Sequence, residues 1–561
     1  MTNTTRDLLE QHFDTAFAAP DGIAKLRELI LTLAMQGKLV EQDPADQPAL
    51  ELLKDIDAEK QRLVKTGKIK APKPLPPIKP EEVPYQLPQG WEWVRVREIC
   101  HDWGQKIPDS TFTYIDVGAI DNTSGKIGSN LQILGASDAP SRARKIVKTG
   151  TVIYSTVRPY LLNIAIIDKE YDPEPIASTA FAILHPFRSL SARFIYHYLR
   201  SPAFIRYVEA AQKGVAYPAI NDGDFFSGLF PLPPFPEQNR IVALIDQLIA
   251  CCDALEAVRN EREEKRLAVH AAAMQQLLAA PDSSAWGFIE QHFGELYSIN
   301  ENVTELRKAI LQLAVMGRLV PQDPNDPPAS ELLEEIGAER LRLVKAGKIK
   351  MPRPLPPIKP EEVPYQLPQG WEWVRVAELT DVGTGSTPAT TNQDFYGGSI
   401  PWYTSSATND LFAPMPDKFI TEKAISETNC KVFPAGSLMI AMYGQGKTRG
   451  QVSEIVIPGA TNQAVAALVF FRSSEGIKKY LKYFFIKIYD EIRLLAEGAA
   501  QPNLNVGKIK ETLVPLPPLS EQHRIVSRID QLMALCDTVD QKINDATDKQ
   551  TELLRAVMAQ V

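Results

Sequence analysis

At 561 residues, 44% apolar and 23% charged, the chain is ordinary for a globular protein and too long for one core, so two to four domains are expected. No apolar run nears the roughly 18 residues of a membrane span, no export signal is expected from MTNTTRDLLEQHFD, and five scattered cysteines exclude a disulfide framework or CxxC zinc site, which points to a reducing cytoplasm. The net charge of −8 argues against a nucleic-acid partner only until it is mapped: residues 101–230 carry 13 basic and 12 acidic side chains, residues 381–514 the same, and the acidity lies elsewhere.

In chain order, the first segment (1–96) is expected to be helical and to end in a proline-rich arm. Seven prolines lie between Pro72 and Pro88. Lacking backbone donors there, the arm is read as extended and semi-rigid, neither helix nor central strand. It runs into Gly90-Trp91-Glu92-Trp93, whose alternation marks the first strand of a block spanning 97–230. PLPPFPEQNRIVALIDQLIACCDALE (231–256) then opens a central segment, 231–376, with Ile241, Ile245, Leu248, Cys252 and Leu255 in four–three alternation.

That segment goes on to repeat the beginning of the chain. LRKAILQLAVMGRLVPQDPNDPPASELL (306–333) matches LRELILTLAMQGKLVEQDPADQPALELL (26–53). PLPPIKPEEVPYQLPQGWEWVRV occurs letter for letter at 74–96 and 354–376, an offset of 280 residues. A second block follows at 377–514. The closing segment (515–561) begins PLPPLSEQHRIVSRIDQLMALCDTVD, 284 residues after its twin. Its seam runs through Ile525, Ile529, Leu532, Cys536, Val539, Ile543 and Ala546, rejoined by Leu553 and Val557.

The layout is a repeated frame carrying two blocks that share no comparable match, so frame and block have different jobs. Each seam predicts a helix of about 40 residues, roughly 60 Å long. The simplest partner for each is the other copy; the alternative is two amphipathic helices, each packed on its own domain.

These residues resemble the specificity (S) subunit of type I restriction–modification systems over essentially the whole length. LPQGWEW and PLPP…EQ…RI, each present twice, are similar to that family's passages into and out of a target-recognition domain. STVRPYLLNIAI (155–166), IASTAF (176–181), GTGSTPATTNQDFYGGSIPW (383–402) and ATNQAVAAL (460–468) are similar to recurring elements of such domains. The resemblance implies an α+β protein: two globular mixed α/β target-recognition domains joined by a pair of long antiparallel, coiled-coil-like helices, with a pseudo-two-fold internal repeat. It implies a DNA-binding subunit rather than an enzyme, reading an asymmetric bipartite target in double-stranded DNA, one half-site per domain, with the helices setting the spacer. Two modification (methyltransferase) subunits are the implied partners, joined by restriction (translocase/nuclease) subunits where the system has them. No cofactor is expected in this chain; S-adenosylmethionine, ATP and magnesium are expected on the partners.

Base edges are read by Arg, Lys, Asn and Gln through paired hydrogen bonds. Candidates in the first block are Arg142, Arg144 and Lys145 of SRARK, with Arg158, Tyr160 and Asn163. In the second they are Tyr443, Gln445, Lys447, Arg449, Asn462 and Gln463. Against this, Asn163, Asn462 and Gln463 suit turn caps, and the SRARK cluster suits a solvated face. Phe395, Tyr396 and Trp402 read as core, and AYPAIN (216–221) and AQPNLN (500–505) as turns closing each block.

Two other functions stay open. GSLMIAMYGQGKTRG (436–450) looks like a strand entering a phosphate loop, which would make a nucleotide hydrolase, although Ala441 holds the place of the first glycine. A repeat scaffold that never touches DNA is the other. Asp326-Pro327-Pro328-Ala329 approaches the adenine methyltransferase tetrapeptide but lacks the aromatic that stacks a flipped base.

Overall fold

The computed structural model describes residues 11–71, 75–214, 217–279, 283–352, 354–444, 447–497 and 504–559. The chain divides into two compact units, Met1–Arg262 with Asp545–Val561, and Glu263–Asn544. Each long helix begins in one unit and ends in residues assigned to the other: Phe235–Ala279 starts in the first, Leu519–Ala559 in the second. Two α+β units and two long helices are the architecture expected.

In the first unit, the frame supplies helices Gly22–Met35 and Ala49–Lys65. The earlier one is stopped by Gly37, whose φ of +65° lets Lys38 N–H donate back to Leu33 O at 2.8 Å. A Cβ on Gly37 would lie 2.3 Å from Pro88 Cγ, so the glycine also admits the end of the arm. The described part of the arm is extended apart from one turn at Pro80–Glu82, and it is tied down. Arg95, 5% exposed, donates to Pro76 O at 3.3 Å, Glu82 Oε2 at 2.8 Å and Ser227 O at 2.7 Å. Tyr85 Oη donates to Met35 O at 3.0 Å.

The block is closed at its junctions with the frame. Strand Glu92–Arg95 pairs antiparallel with Leu229–Leu232. Between them lie two four-stranded sheets. One, fully antiparallel, runs Cys100–His101, Phe181–Pro186, Val152–Ser155, Ile164–Ile166. The other runs Gln132–Leu134, Phe112–Ile115, Pro175–Ser178, Ala143–Ile146, its central pair parallel. Val152, Ile153, Tyr154, Phe181 and Leu184 are essentially inaccessible, consistent with strands buried on both faces.

The second unit repeats this plan. Helices Asn300–Val315 and Ala329–Lys345 precede the arm, Arg375 binds Pro356 O, Glu362 and Glu511 O, and Glu372–Arg375 pairs with Leu513–Leu516. Its sheets are Thr380–Thr384, Val465–Phe470, Leu438–Ala441, Val452–Glu454, and Phe419–Ile420, Tyr396–Tyr403, Gly459–Thr461, Val432–Phe433. Strand order, chain order and the single parallel pair all agree with the first unit. The two blocks, unmatched in sequence, share the topology of both four-stranded sheets, to which the first adds a small hairpin, Ile120–Asp121 with Lys126–Ile127.

The PLPP…EQ…RI segments resolve into anchors. In the first turn of helix Phe235–Ala279, Glu237 Oε2 accepts the Trp91 indole N–H at 2.9 Å, while Gln238 Nε2 donates to Pro233 O at 3.0 Å. Arg240 pairs with Asp46 at 2.7 Å, and Ile241 is fully buried. Glu521–Trp371, Gln522–Pro517, Arg524–Asp326 and Ile525 repeat the set. Asp326, of the tetrapeptide singled out in the sequence, is therefore an ion-pair partner of the frame.

The seam residues pack in their own units for much of their length. Ile525, Ile529 and Cys536 are buried in the second unit's main core, with Leu532, Val539 and Ile543 half-buried beside it. Arg307 reaches Asp540 and Asp537, both at 2.5 Å, and Asn300 reaches Asn544 at 2.9 Å, which lays Asn300–Val315 along this stretch. Arg27 does the same with Asp253 and Glu256. Two expected seam positions differ: Leu255 is 46% exposed and Ala546 is exposed. Near the end of the second helix Leu554 and Val557 are the buried pair, packed with Ala16, Phe17, Leu29 and Leu33 of the first unit; Leu553 is half-buried.

Candidate nucleic-acid interface

In both units the candidate residues gather where two short connections meet at the ends of buried strands. In the first, the connection from Val152–Ser155 to Ile164–Ile166 carries Arg158 and Tyr160, both exposed, and reaches Asn163, 9% exposed. It contains one turn, Pro159–Leu161, flanked by two non-glycine residues in the left-handed region: Arg158 at φ 48° and Leu162 at φ 51°. Each costs roughly 1–2 kcal/mol, so the surroundings must hold them. Arg158 N–H donates to Pro218 O at 2.8 Å, its guanidinium stands 5.3 Å from the Tyr217 ring, and Asn122 Nδ2 donates to Leu161 O at 3.1 Å. The exposed loop is thus tied down around its two strained residues, and such strain clusters at functional positions.

The adjoining connection is the turn after Pro175–Ser178. Ala180 O accepts both Thr156 N–H, at 2.8 Å, and Thr156 Oγ1, at 2.9 Å, which ties the turn to the loop. Thr179 N–H donates to Arg142 O at 2.8 Å, so SRARK begins beside that turn. Arg142 is exposed and Arg144 half-buried, its Nε donating to Ser141 O at 3.0 Å. Lys145 departs from a solvated or DNA-facing role. It is 9% exposed, and its ammonium donates to Phe181 O at 2.6 Å and pairs with Asp222 at 3.0 Å, fixing strand Ala143–Ile146 to its neighbours.

The second unit builds the same corner from different residues. Its hairpin connection, between Leu438–Ala441 and Val452–Glu454, carries Tyr443, Lys447 and Arg449; Tyr443 and Lys447 are exposed and Arg449 is half-buried. Gln445 lies outside the described residues. Met442 N–H donates to Ala464 O at 2.8 Å, the counterpart of Thr156 to Ala180. Asn462 and Gln463 form the turn after Gly459–Thr461. Asn462 Oδ1 caps Ala464 N–H at 3.0 Å, and Gln463, exposed, accepts from Thr387 Oγ1 at 2.6 Å.

Beneath the hairpin, Glu454 pairs with Lys478 at 2.8 Å and Lys482 at 3.4 Å. Burial pushes the Lys482 ammonium below its usual value, Glu454 opposing it, and its Nζ stands 3.5 Å from the Phe412 ring. Leu411 O and Glu454 N–H bond at 3.1 Å, drawing the 405–417 segment alongside.

The topology also decides the phosphate-loop likeness. A phosphate loop joins a strand to a helix whose N-terminus faces the anion. Here the connection returns antiparallel into Val452–Glu454. Several residues that shape the corner carried no sequence signal, because their partners are distant: Asn122, Asn409 and the pair Tyr489 and Arg493. The block-closing asparagines are caps, Asn221 Oδ1 to Asp224 N–H at 2.8 Å and Asn505 Oδ1 to Lys508 N–H at 2.9 Å. Phe395 and Trp402 are buried and Tyr396 half-buried, as expected for core.

The description "Type I restriction modification DNA specificity domain" belongs to a family model that matches the chain twice, at residues 88–264 and 368–547. The chain is similar to the EcoAI specificity subunit of Escherichia coli, 34% identical over 568 aligned positions that cover 95% of this chain and 92% of that one. Similarity to the EcoEI specificity subunit of the same organism is 32% over 565 positions, covering 96% and 93%. Among solved structures, the HsdS subunit from Thermoanaerobacter tengcongensis matches with a TM-score of 0.48 and 25% identity, over 85% of this chain and 98% of that one.

Proposed function

The chain belongs to the type I restriction–modification DNA specificity family, and from that premise we propose that it reads an asymmetric bipartite sequence in double-stranded DNA, one half-site per block. The paired blocks are 97–230 and 377–514, and the long helices set the gap between half-sites. The frame recruits two methyltransferase subunits, and restriction subunits where the system has them, in the cytoplasm. S-adenosylmethionine, ATP and magnesium belong to those partners, and the chain itself performs no chemistry.

One observation carries this reading. The same hairpin connection, on the same sheet, holds Arg158 and Tyr160 in one block and Tyr443, Lys447 and Arg449 in the other. A common scaffold with different exposed donors is what two unlike half-sites require, since each base pair presents its own donor and acceptor pattern in the major groove. Arg142, Arg144, Asn462 and Gln463 flank the hairpins as further contacts, to phosphate or base. Selection of a randomised duplex library on the chain assembled with its methyltransferase subunits, at stated salt, tests it. Two specified blocks separated by an unspecified gap of fixed length are expected; one contiguous block, or no enrichment, contradicts it.

A further inference from the structure

The turn 447–450 of the second block is gripped through its backbone by a helix later in the chain. Tyr489 Oη donates to Lys447 O at 2.5 Å. Arg493, one helical turn on, donates to Arg449 O at 3.1 Å and to Tyr489 Oη at 3.0 Å, and its guanidinium stands 5.3 Å from the Tyr489 ring centroid. The i, i+4 spacing on helix Tyr489–Glu497 is what places both donors on one face.

The turn is held on its other flank too. Thr448 Oγ1 donates there to Asn409 Oδ1 at 3.3 Å, while on the helix side Gly450, at φ +88°, packs so that a Cβ would meet Ile492 Cγ2 at 3.1 Å. Gly450 N–H returns to Ala441 O at 2.9 Å. Both carbonyls taken by the helix belong to the two basic residues, so the grip fixes the backbone of Lys447 and Arg449 while leaving the exposed Lys447 side chain facing solvent.

We infer that Tyr489 and Arg493 are positioning residues for half-site discrimination by the second block: they touch no DNA and set where Lys447 and Arg449 meet it. The inference rests on the proposed reading of a bipartite target. Discrimination between bases depends on placement far more than gross affinity does, because a paired hydrogen bond to a base edge tolerates little displacement whereas attraction to phosphate does not depend on sequence. Loosening the grip therefore relaxes specificity in one half-site and leaves general affinity for DNA in place.

The test is methylation-site mapping in cells that carry the complete system with wild-type chain, Tyr489→Phe, Arg493→Lys, or Thr448→Val. Thr448→Val loosens the turn from the Asn409 side without touching the helix. Wild type is expected to yield two specified half-sites; failure with wild type sinks the bipartite reading itself and is distinct from any failure of the variants. For the variants, the second block's half-site is expected to lose about tenfold in preference at one or more positions, the scale of one paired base contact, while the first block's half-site keeps its wild-type preference and serves as internal control. Unchanged preference in both Tyr489→Phe and Arg493→Lys, whatever Thr448→Val does, or equal relaxation of both half-sites, overturns the inference.

Discussion

Arg142 and Lys145 lie three residues apart in SRARK yet have separate physical fates. Arg142 is exposed beside the turn at Thr179, whereas Lys145 is buried against Asp222, 77 residues away. Reversal of Arg142 and Arg144 to Glu is expected to weaken DNA binding and to lower the slope of log affinity against log salt by about one to two, since each phosphate contact contributes about 0.9. Lys145→Met should leave that slope alone and lower the thermal midpoint, because it strips Asp222 and Phe181 O of a charged donor worth roughly 1.5–3 kcal/mol. Titration of binding against salt for both variants checks this; an unchanged slope in the Arg142/Arg144 variant removes these residues from the interface. Sequence reasoning could group the cluster but not divide it, since a partner 77 positions distant is invisible to local pattern. Asn462 shows the reverse: a turn cap was legible, because an Asn side chain satisfies backbone two residues on.

Elements were legible in proportion to their length and repetition. The frame repeats almost letter for letter, and its contacts repeat with it: Trp91–Glu237 and Trp371–Glu521, Arg240–Asp46 and Arg524–Asp326, Arg27 and Arg307 on their acidic pairs. The strands of the blocks, mostly two to six residues long, give too few positions for periodicity to speak, so their shared topology was not visible in sequence. One strand pair carries a pH consequence. His185 lies opposite His101 across Phe181–Pro186 and Cys100–His101, the rings 5.1 Å apart, with Thr151 Oγ1 2.9 Å from His185 Nδ1. Burial, then the neighbouring His101 and Lys148, push His185 down to about 4 from 6.5, and burial lowers His101 as well. The unfolded chain therefore takes up these protons first, and stability present above pH 6.5 is lost as pH falls towards 4. A falling thermal midpoint over that window, flattened by His185→Gln, is the expected result; a midpoint as steep in the variant contradicts it.

At the scale of the whole molecule, the chain is a frame written twice around two blocks that share a topology and differ in what they expose. Each long helix uses its first turn as an anchor in the frame, Glu237 on Trp91 in one and Glu521 on Trp371 in the other, and frame meets block through matching arginines, Arg95 on Ser227 O and Arg375 on Glu511 O. The strands that flank the first block, Glu92–Arg95 and Leu229–Leu232, pair with each other, so the block is expected to be exchangeable as a unit. Replacing residues 97–230 with the corresponding block of a relative, keeping the frame and block 377–514, and mapping the methylated sequences in cells is the most direct measurement. A new first half-site is expected, with the second half-site and the gap between them unchanged; a change in both half-sites, or in neither, would contradict the division of labour between frame and blocks.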